Sequence, residues 1–224
     1  MSAKIALLCT LAALNQSGCA PFKDKPQLAS FALRHPLAAL AIGDKHALAP
    51  NITSNAVRLS ERVGLDNRAN GDGRGTQVNA LRHSLWQAAI AARFGSDIAQ
   101  KAGNAYEKSA VLHDSADYPD RYRADEAADL RNNAIGRRIG SARGGRDMNA
   151  LAAALLDEYR RNGLWTIAPV KTHGKTVWRI SQTRLDENAY RNALSKLAKL
   201  DENGMTAQER QKLAAQQARE HSKH

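Results

Sequence analysis

Three side chains able to move protons or bind a metal stand in three separate stretches of this chain: His83, Glu107 and Asp129. Each sits among polar neighbours. Asn79, Arg82 and Trp86 surround His83, and Asn132, Asn133 and Arg137 follow Asp129. An imidazole and carboxylates brought from different helices are the usual materials of a metal site or an acid–base pair. The same materials also serve structure, because a buried histidine bonded to an aspartate can simply staple two helices. Spacing alone leaves both readings open.

The elements that must position these groups read as helices. Residues from about Thr76 to Arg93 place Leu81, Leu85, Ala88, Ala89 and Ala92 on one apolar face. Asn79, His83, Trp86, Gln87 and Ile90 form a second, semi-polar face at the same spacings. Gly95 ends this helix and Ser96 is expected to cap the next, which carries Ile98, Ala99, Ala102, Ala105 and Tyr106 inward and leads to Glu107. After an irregular acidic stretch containing Pro119, a helix resumes near Ala124 and sets Asp129, Asn132, Asn133, Gly136 and Arg137 on one face. Gly140 to Arg146 is expected to be a mobile basic loop. Met148 to Tyr159 is another amphipathic helix.

Asp66 to Gln77 holds glycines at 71, 73 and 75 and delivers the chain into Asn79, as a flexible or ligand-wrapping loop. Gly71-Asp72-Gly73 lacks the alternating oxygen ligands and closing glutamate of a calcium loop, so an ordinary turn is expected there. The convincing strand patterns are Leu164–Val170 and Thr176–Ile180, joined through Gly174 as a hairpin that must pack on the helices. The expected fold is therefore mainly α: a compact orthogonal helical domain with one small β-hairpin near 164–180.

The 224 residues carry 33 Lys and Arg against 22 Asp and Glu, a formal charge of +11. Such a surface is drawn to anionic partners: phospholipid headgroups, nucleic acid or an acidic protein. Both cysteines, Cys9 and Cys19, lie in the first twenty residues, which excludes a disulfide framework and leaves the body without a catalytic thiol. Residues 1–18 have the form of an export signal, with Lys4 ahead of the apolar run Ile5–Leu14, which is too short to span a bilayer. Gln16-Ser17-Gly18-Cys19 resembles the bacterial lipoprotein processing box, although Gln16 stands where leucine is usual. Cys19 would be the lipidated residue, and Ala20 in place of aspartate resembles outer-membrane sorting. The organisation expected is a signal peptide at 1–18, a tether at 19–36, one helical domain at 37–200 and a basic polar tail at 201–224. That places the protein in the cell envelope, as an outer-membrane lipoprotein or secreted. Its partners are then the membrane surface, reached through lipid anchor and basic face, and a partner protein. Nucleic acid is disfavoured, because no recognition motif is visible and the export signal argues against it.

Asn79-Ala80-x-Arg82-His83-x-x-Trp86, Gly103-Asn104-Ala105-x-Glu107 and Asp129-Leu130-x-Asn132-Asn133-x-x-Gly136-Arg137 together resemble a bacterial domain family of unassigned function. The family is found in exported proteins, lipoproteins and the C-terminal ends of polymorphic toxins. The resemblance covers about residues 50–145. It implies a compact helical domain with one pocket lined by His83, Glu107, Asp129, Asn132, Asn133 and Arg137. One departure is Tyr106, where such domains tend to have histidine. A second resemblance, to the HD phosphohydrolases, rests on His83, His113-Asp114 and Asp129 and implies that those residues bind divalent metal.

The function expected is an exported, lipid-anchored hydrolase acting on an anionic envelope component, with phospholipid the leading candidate. His83, Glu107 and Asp129 would be catalytic, and Asn79, Arg82, Trp86, Asn132, Asn133 and Arg137 would bind substrate or oxyanion. A divalent metal is the one cofactor suggested. The chain has no Gly-x-Ser-x-Gly elbow, which argues against a serine lipase. The alternatives are a non-enzymatic envelope lipoprotein that binds a partner through its basic face, and a metal-dependent HD-type phosphohydrolase.

Overall fold

A computed structural model describes residues 26–107, 115–145 and 147–221. The expected signal peptide, Cys19, His113 and Asp114 lie outside the described residues. Among the described residues no helix is long and apolar enough to cross a membrane. The fold is mainly helical with a small antiparallel sheet.

Two long helices form its spine. Thr76 caps the first, α4 (Gln77–Phe94), through a hydrogen bond from Asn79 N to Thr76 Oγ1, and Gly95 ends it at φ 89°. Asp120 caps the second, α6 (Arg121–Arg143), by accepting from Arg123 N at 3.0 Å. This cap starts the helix one turn earlier than Ala124. It also runs further than expected, through Gly140 to Arg143, because Gly140 is needed inside it. A Cβ at Gly136 would stand 2.1 Å from Ser84 O, and one at Gly140 would stand 2.1 Å from Ala88 O. Two glycines one turn apart thus let the backbone of α6 lie directly on that of α4.

The other helices wrap this pair. α3 (Ile52–Arg62), α5 (Ser96–Tyr106) and α7 (Met148–Arg161) bury Leu59, Ala102, Leu155, Leu156 and Tyr159 against Leu81 and Leu85 of α4. Ser96 is the first residue of α5 rather than its cap, and Gly95 occupies the cap position without a side-chain bond. At the start of the described chain, α1 (Pro26–Arg34) and α2 (Pro36–Ile42) meet at His35, where Pro36 breaks the helix. Phe31 of α1 is part of the main core, so the end of the expected tether is helical and packed.

The hairpin is longer than its sequence pattern and gains a third strand. β2 (Leu164–Thr172) pairs with β3 (Lys175–Thr183) around His173-Gly174, both at positive φ. The two-residue β1 (Asp117–Tyr118) pairs with the other edge of β3, giving the order β1-β3-β2. The sheet packs Tyr118, Ile167 and Ile180 onto Ala124, Ala127 and Ala128 of α6. After α8 (Glu187–Leu197), the chain turns through Asp201–Met205 into α9 (Ala207–His221). Met205 is buried and Glu209 makes a two-pronged ion pair with Arg62 of α3, both contacts at 2.6 Å, which ties the polar tail to the body.

Candidate functional site

The contact between α4 and α6 is polar along one line. Asn79, His83 and Gln87 recur every fourth residue on α4, and they face Asp125, Asp129, Asn132 and Asn133 on α6. Glu107 joins them from the end of α5. The imidazole of His83 lies between two carboxylates: Nε2 is 3.3 Å from Asp129 Oδ2, and Nδ1 is 4.0 Å from Glu107 Oε1. The three expected catalytic residues therefore meet, each delivered by a different segment. Only a fringe is reachable by solvent, with side-chain exposures of 14% for His83, 12% for Glu107 and 6% for Asp129.

A polar lattice holds Asp129 in place. Asn79 Nδ2 donates to Asp129 Oδ1 at 2.7 Å and to Asp125 Oδ1 at 3.1 Å. Asp125 Oδ2 receives Arg74 Nη1 at 3.2 Å, and Arg82 Nη2 donates to Asn79 Oδ1. Asp125 and Arg74 were not expected here. Asp125 stands one helical turn before Asp129, on the same face, and that i, i+4 relation was its one sequence signal. Arg74 comes from the glycine-rich loop, whose reach no local pattern reveals. Asp72 of the same loop accepts from Arg121 Nη2 at 2.8 Å, so its carboxylate serves an arginine tie.

Electrostatics at this seam are set by burial. Burial, aided by the neighbouring Arg82 charge, pushes His83 down to about 3, while contact with Asn133 opposes it. Burial together with the negative charges of Asp125 and Glu107 pushes Asp129 well above the usual carboxylate range, against Arg82 and Asn79. Burial therefore disfavours the charged form of both the imidazole and the Asp129 carboxyl.

Of the expected substrate-binding residues, Asn79 and Arg82 line this lattice. Trp86 stands at the rim: its Nε1 donates to Thr53 Oγ1 at 3.1 Å and its ring is tilted against Tyr106 at 5.8 Å. Tyr106, at the position of the sequence departure, is thus a half-exposed wall residue beside Trp86. Asn132 has a different task from the expected one. Its Nδ2 donates to Trp165 O at 2.8 Å and its Oδ1 accepts from Trp165 N at 2.9 Å, so the whole amide is occupied in holding β2 to α6. Asn133 flanks the imidazole, and Arg137 Nη1 donates to Gln87 Oε1 at 3.1 Å further along the seam. The buried atoms Gln87 Nε2 and Asn133 Oδ1 make no hydrogen bond within the described residues. Gly103 makes room there, since a Cβ on it would meet Gln87 Nε2 at 2.7 Å.

One donor atom each from His83, Glu107 and Asp129 lie within 4.8 Å of one another, close enough for a shared cation. The HD-type ligand set is represented among the described residues only by His83 and Asp129. No curated protein matches the chain, and no solved structure does. A family model for a domain of unknown function matches residues 31–163, a span that contains α4, α5 and α6 and every residue of the seam, and the chain belongs to that family, DUF6973.

Proposed function

We propose that this protein is an exported, lipid-anchored hydrolase that attacks an ester of an anionic envelope component, with phospholipid as its substrate class. The observation that carries the reading is the His83 imidazole set between two carboxylates from separate helices. Hydrolysis needs a water held and deprotonated beside an electrophile; burial lowers the imidazole and raises the Asp129 carboxyl toward neutral, so within this cluster the carboxyl is the better matched base and His83 its neighbour. Arg82 and Arg137 lie along the same seam and offer guanidinium donors to a phosphate or a developing oxyanion.

Support for an anionic surface comes from charge. A cleft is lined by Lys196, Lys199 and Lys212 together with the paired Arg62 and Glu209, and the chain carries +11 overall. Lipid chains at Cys19 together with such a face meet the two-signal requirement for stable membrane attachment. A non-enzymatic envelope lipoprotein is the competing reading. It is favoured by the near-complete burial of Asp129 and by the purely structural duty of Asn132.

Vesicles of phosphatidylglycerol and of phosphatidylcholine, incubated with the purified full chain, separate the two. The expected result is release of fatty acid or of phosphorylated headgroup from the anionic vesicles, with Arg137→Ala raising KM more than it lowers kcat. A folded protein that binds the vesicles and releases nothing would be a binding lipoprotein.

A further inference from the structure

A neutral imidazole has one N–H and one lone pair, yet both nitrogens of His83 face carboxylate oxygens. Two carboxylates, from Glu107 and Asp129, flank it, and Asp125 stands behind Asp129 through Asn79. Arg74 is engaged with Asp125 and with Asp72, while Arg82 bonds Asn79 and its charge acts on both Asp129 and His83. Glu107 and Asp129 are the carboxylates whose oxygens face the imidazole nitrogens.

We infer that His83, Glu107 and Asp129 form a binding site for one divalent transition-metal ion of the Mn²⁺ or Zn²⁺ type. The spacing suits it. Two ligands bound at about 2.1 Å in tetrahedral geometry stand roughly 3.4 Å apart, and His83 Nε2 to Asp129 Oδ2 is 3.3 Å. With one imidazole nitrogen as the ligand, all three donor atoms fall within 4.8 Å of one another, so the widest pair needs to close by up to roughly 1.4 Å to complete a face.

The supporting groups are arranged as a ligand shell requires. Asn79 Nδ2 holds Asp129 Oδ1 at 2.7 Å and so turns Oδ2 toward the imidazole. Asp125, steadied by Arg74, holds Asn79 in turn. A second observation is independent of the acidic pair. Gln87 Nε2 is buried without a hydrogen-bond partner near Gly103, and the Asn133 amide lies against both Gly103 and the imidazole. An unmet buried donor one turn from His83 is an expected neighbour of a bound water or anion. One nitrogen with two carboxylate oxygens is a mixed donor set. It matches borderline divalent ions better than Ca²⁺, which takes six to eight oxygens. Three protein ligands leave open positions for water and an anionic oxygen, which deepens the hydrolase reading by naming what would activate its water.

The test measures binding rather than turnover. Tag-free full chain, stripped with chelator and dialysed, is titrated with MnCl₂ and with ZnCl₂ by calorimetry, and bound metal is counted by elemental analysis. One equivalent is expected to bind to the native protein. His83→Ala and the isosteric Glu107→Gln should each weaken binding at least 100-fold, and Asn79→Ala should weaken it 10- to 100-fold. Asp97→Asn, on the exposed side of α5, should change nothing. Folding of each variant is verified by circular dichroism. Absence of stoichiometric binding to the folded native chain overturns the inference, and so does undiminished binding in both His83→Ala and Glu107→Gln. Lipid hydrolysis that proceeds in excess chelator would overturn the metal site and leave the hydrolase standing. Tight metal binding without hydrolysis would do the reverse.

Discussion

Gly136→Ala should destabilise this protein, although a glycine-to-alanine change inside a helix ordinarily stabilises by about 1 kcal/mol. The new Cβ would stand 2.1 Å from Ser84 O and 2.8 Å from Ser84 C. Both are backbone atoms of α4, so no side-chain rotation relieves the clash. Relief requires α4 and α6 to separate by roughly 1 Å, and overpacking of that kind costs about 1–3 kcal/mol before any polar contact is lost. Separation also stretches Asn79 to Asp129 and His83 to Asp129, which are bonds across the same crossing. The net expectation is a loss of about 2 kcal/mol, or roughly 4–8 °C in Tm for a chain of this size. Urea unfolding of Gly136→Ala is compared with Ala134→Gly, which lies on the exposed side of the same helix and should cost about 1 kcal/mol through propensity alone. A rise in the urea midpoint of Gly136→Ala would refute the close-packed crossing and, with it, the geometry of the seam.

Asn132→Ala should cost about 2–3 kcal/mol, because it removes two hydrogen bonds to Trp165 and leaves that residue's N–H and C=O unmatched; chemical denaturation checks this. Arg58→Lys should cost about 2 kcal/mol, since a lysine cannot reproduce the guanidinium bonds to Ala47 O, Ala49 O and Asn203 O that pin the loop before α3 and the turn before α9. The Glu209–Arg62 pair gives a pH signature. Hydrogen bonding to Arg62 lowers Glu209 from 4.5 to about 2 in the folded protein. Its contribution is therefore fully present above about pH 4.5 and is lost as pH falls toward 2. The stability gap between the native chain and Glu209→Gln should be about 1 kcal/mol at neutral pH, after allowance for solvent screening, and should close between pH 4.5 and 2. A gap that is constant across that range would show the pair to be idle.

The helices that carry the site were legible because their ends are chemically marked. Thr76 and Gly95 bracket α4, and the four-residue spacing of Asn79, His83 and Gln87 put them on one face. Convergence of His83, Glu107 and Asp129 was not fixed by the three helical patterns; spacing left it open, and it was the family resemblance that implied one pocket. The losses came where one residue type serves two ends. Gly140 looked like loop composition, yet its lack of a side chain is what a helix crossing needs. Asn132 had the chemistry of an oxyanion ligand, but a paired bond to the β2 backbone depends on where a strand thirty-three residues later returns. Arg74 and Arg58 act over long or irregular separations that carry no periodicity. The two-residue β1 is too short to leave a pattern and exists because β3 offers it an edge.

The central claim is that His83 and Asp129 act on a substrate rather than merely join two helices. Initial rates of phosphatidylglycerol hydrolysis by the full chain, His83→Ala and Asp129→Asn, each with its unfolding curve, test it most directly. The account predicts that both variants stay folded at the assay temperature and lose 10²- to 10⁴-fold in kcat. Turnover undiminished in both folded variants would contradict it, as would absence of hydrolysis by the native protein with Mn²⁺ or Zn²⁺ supplied.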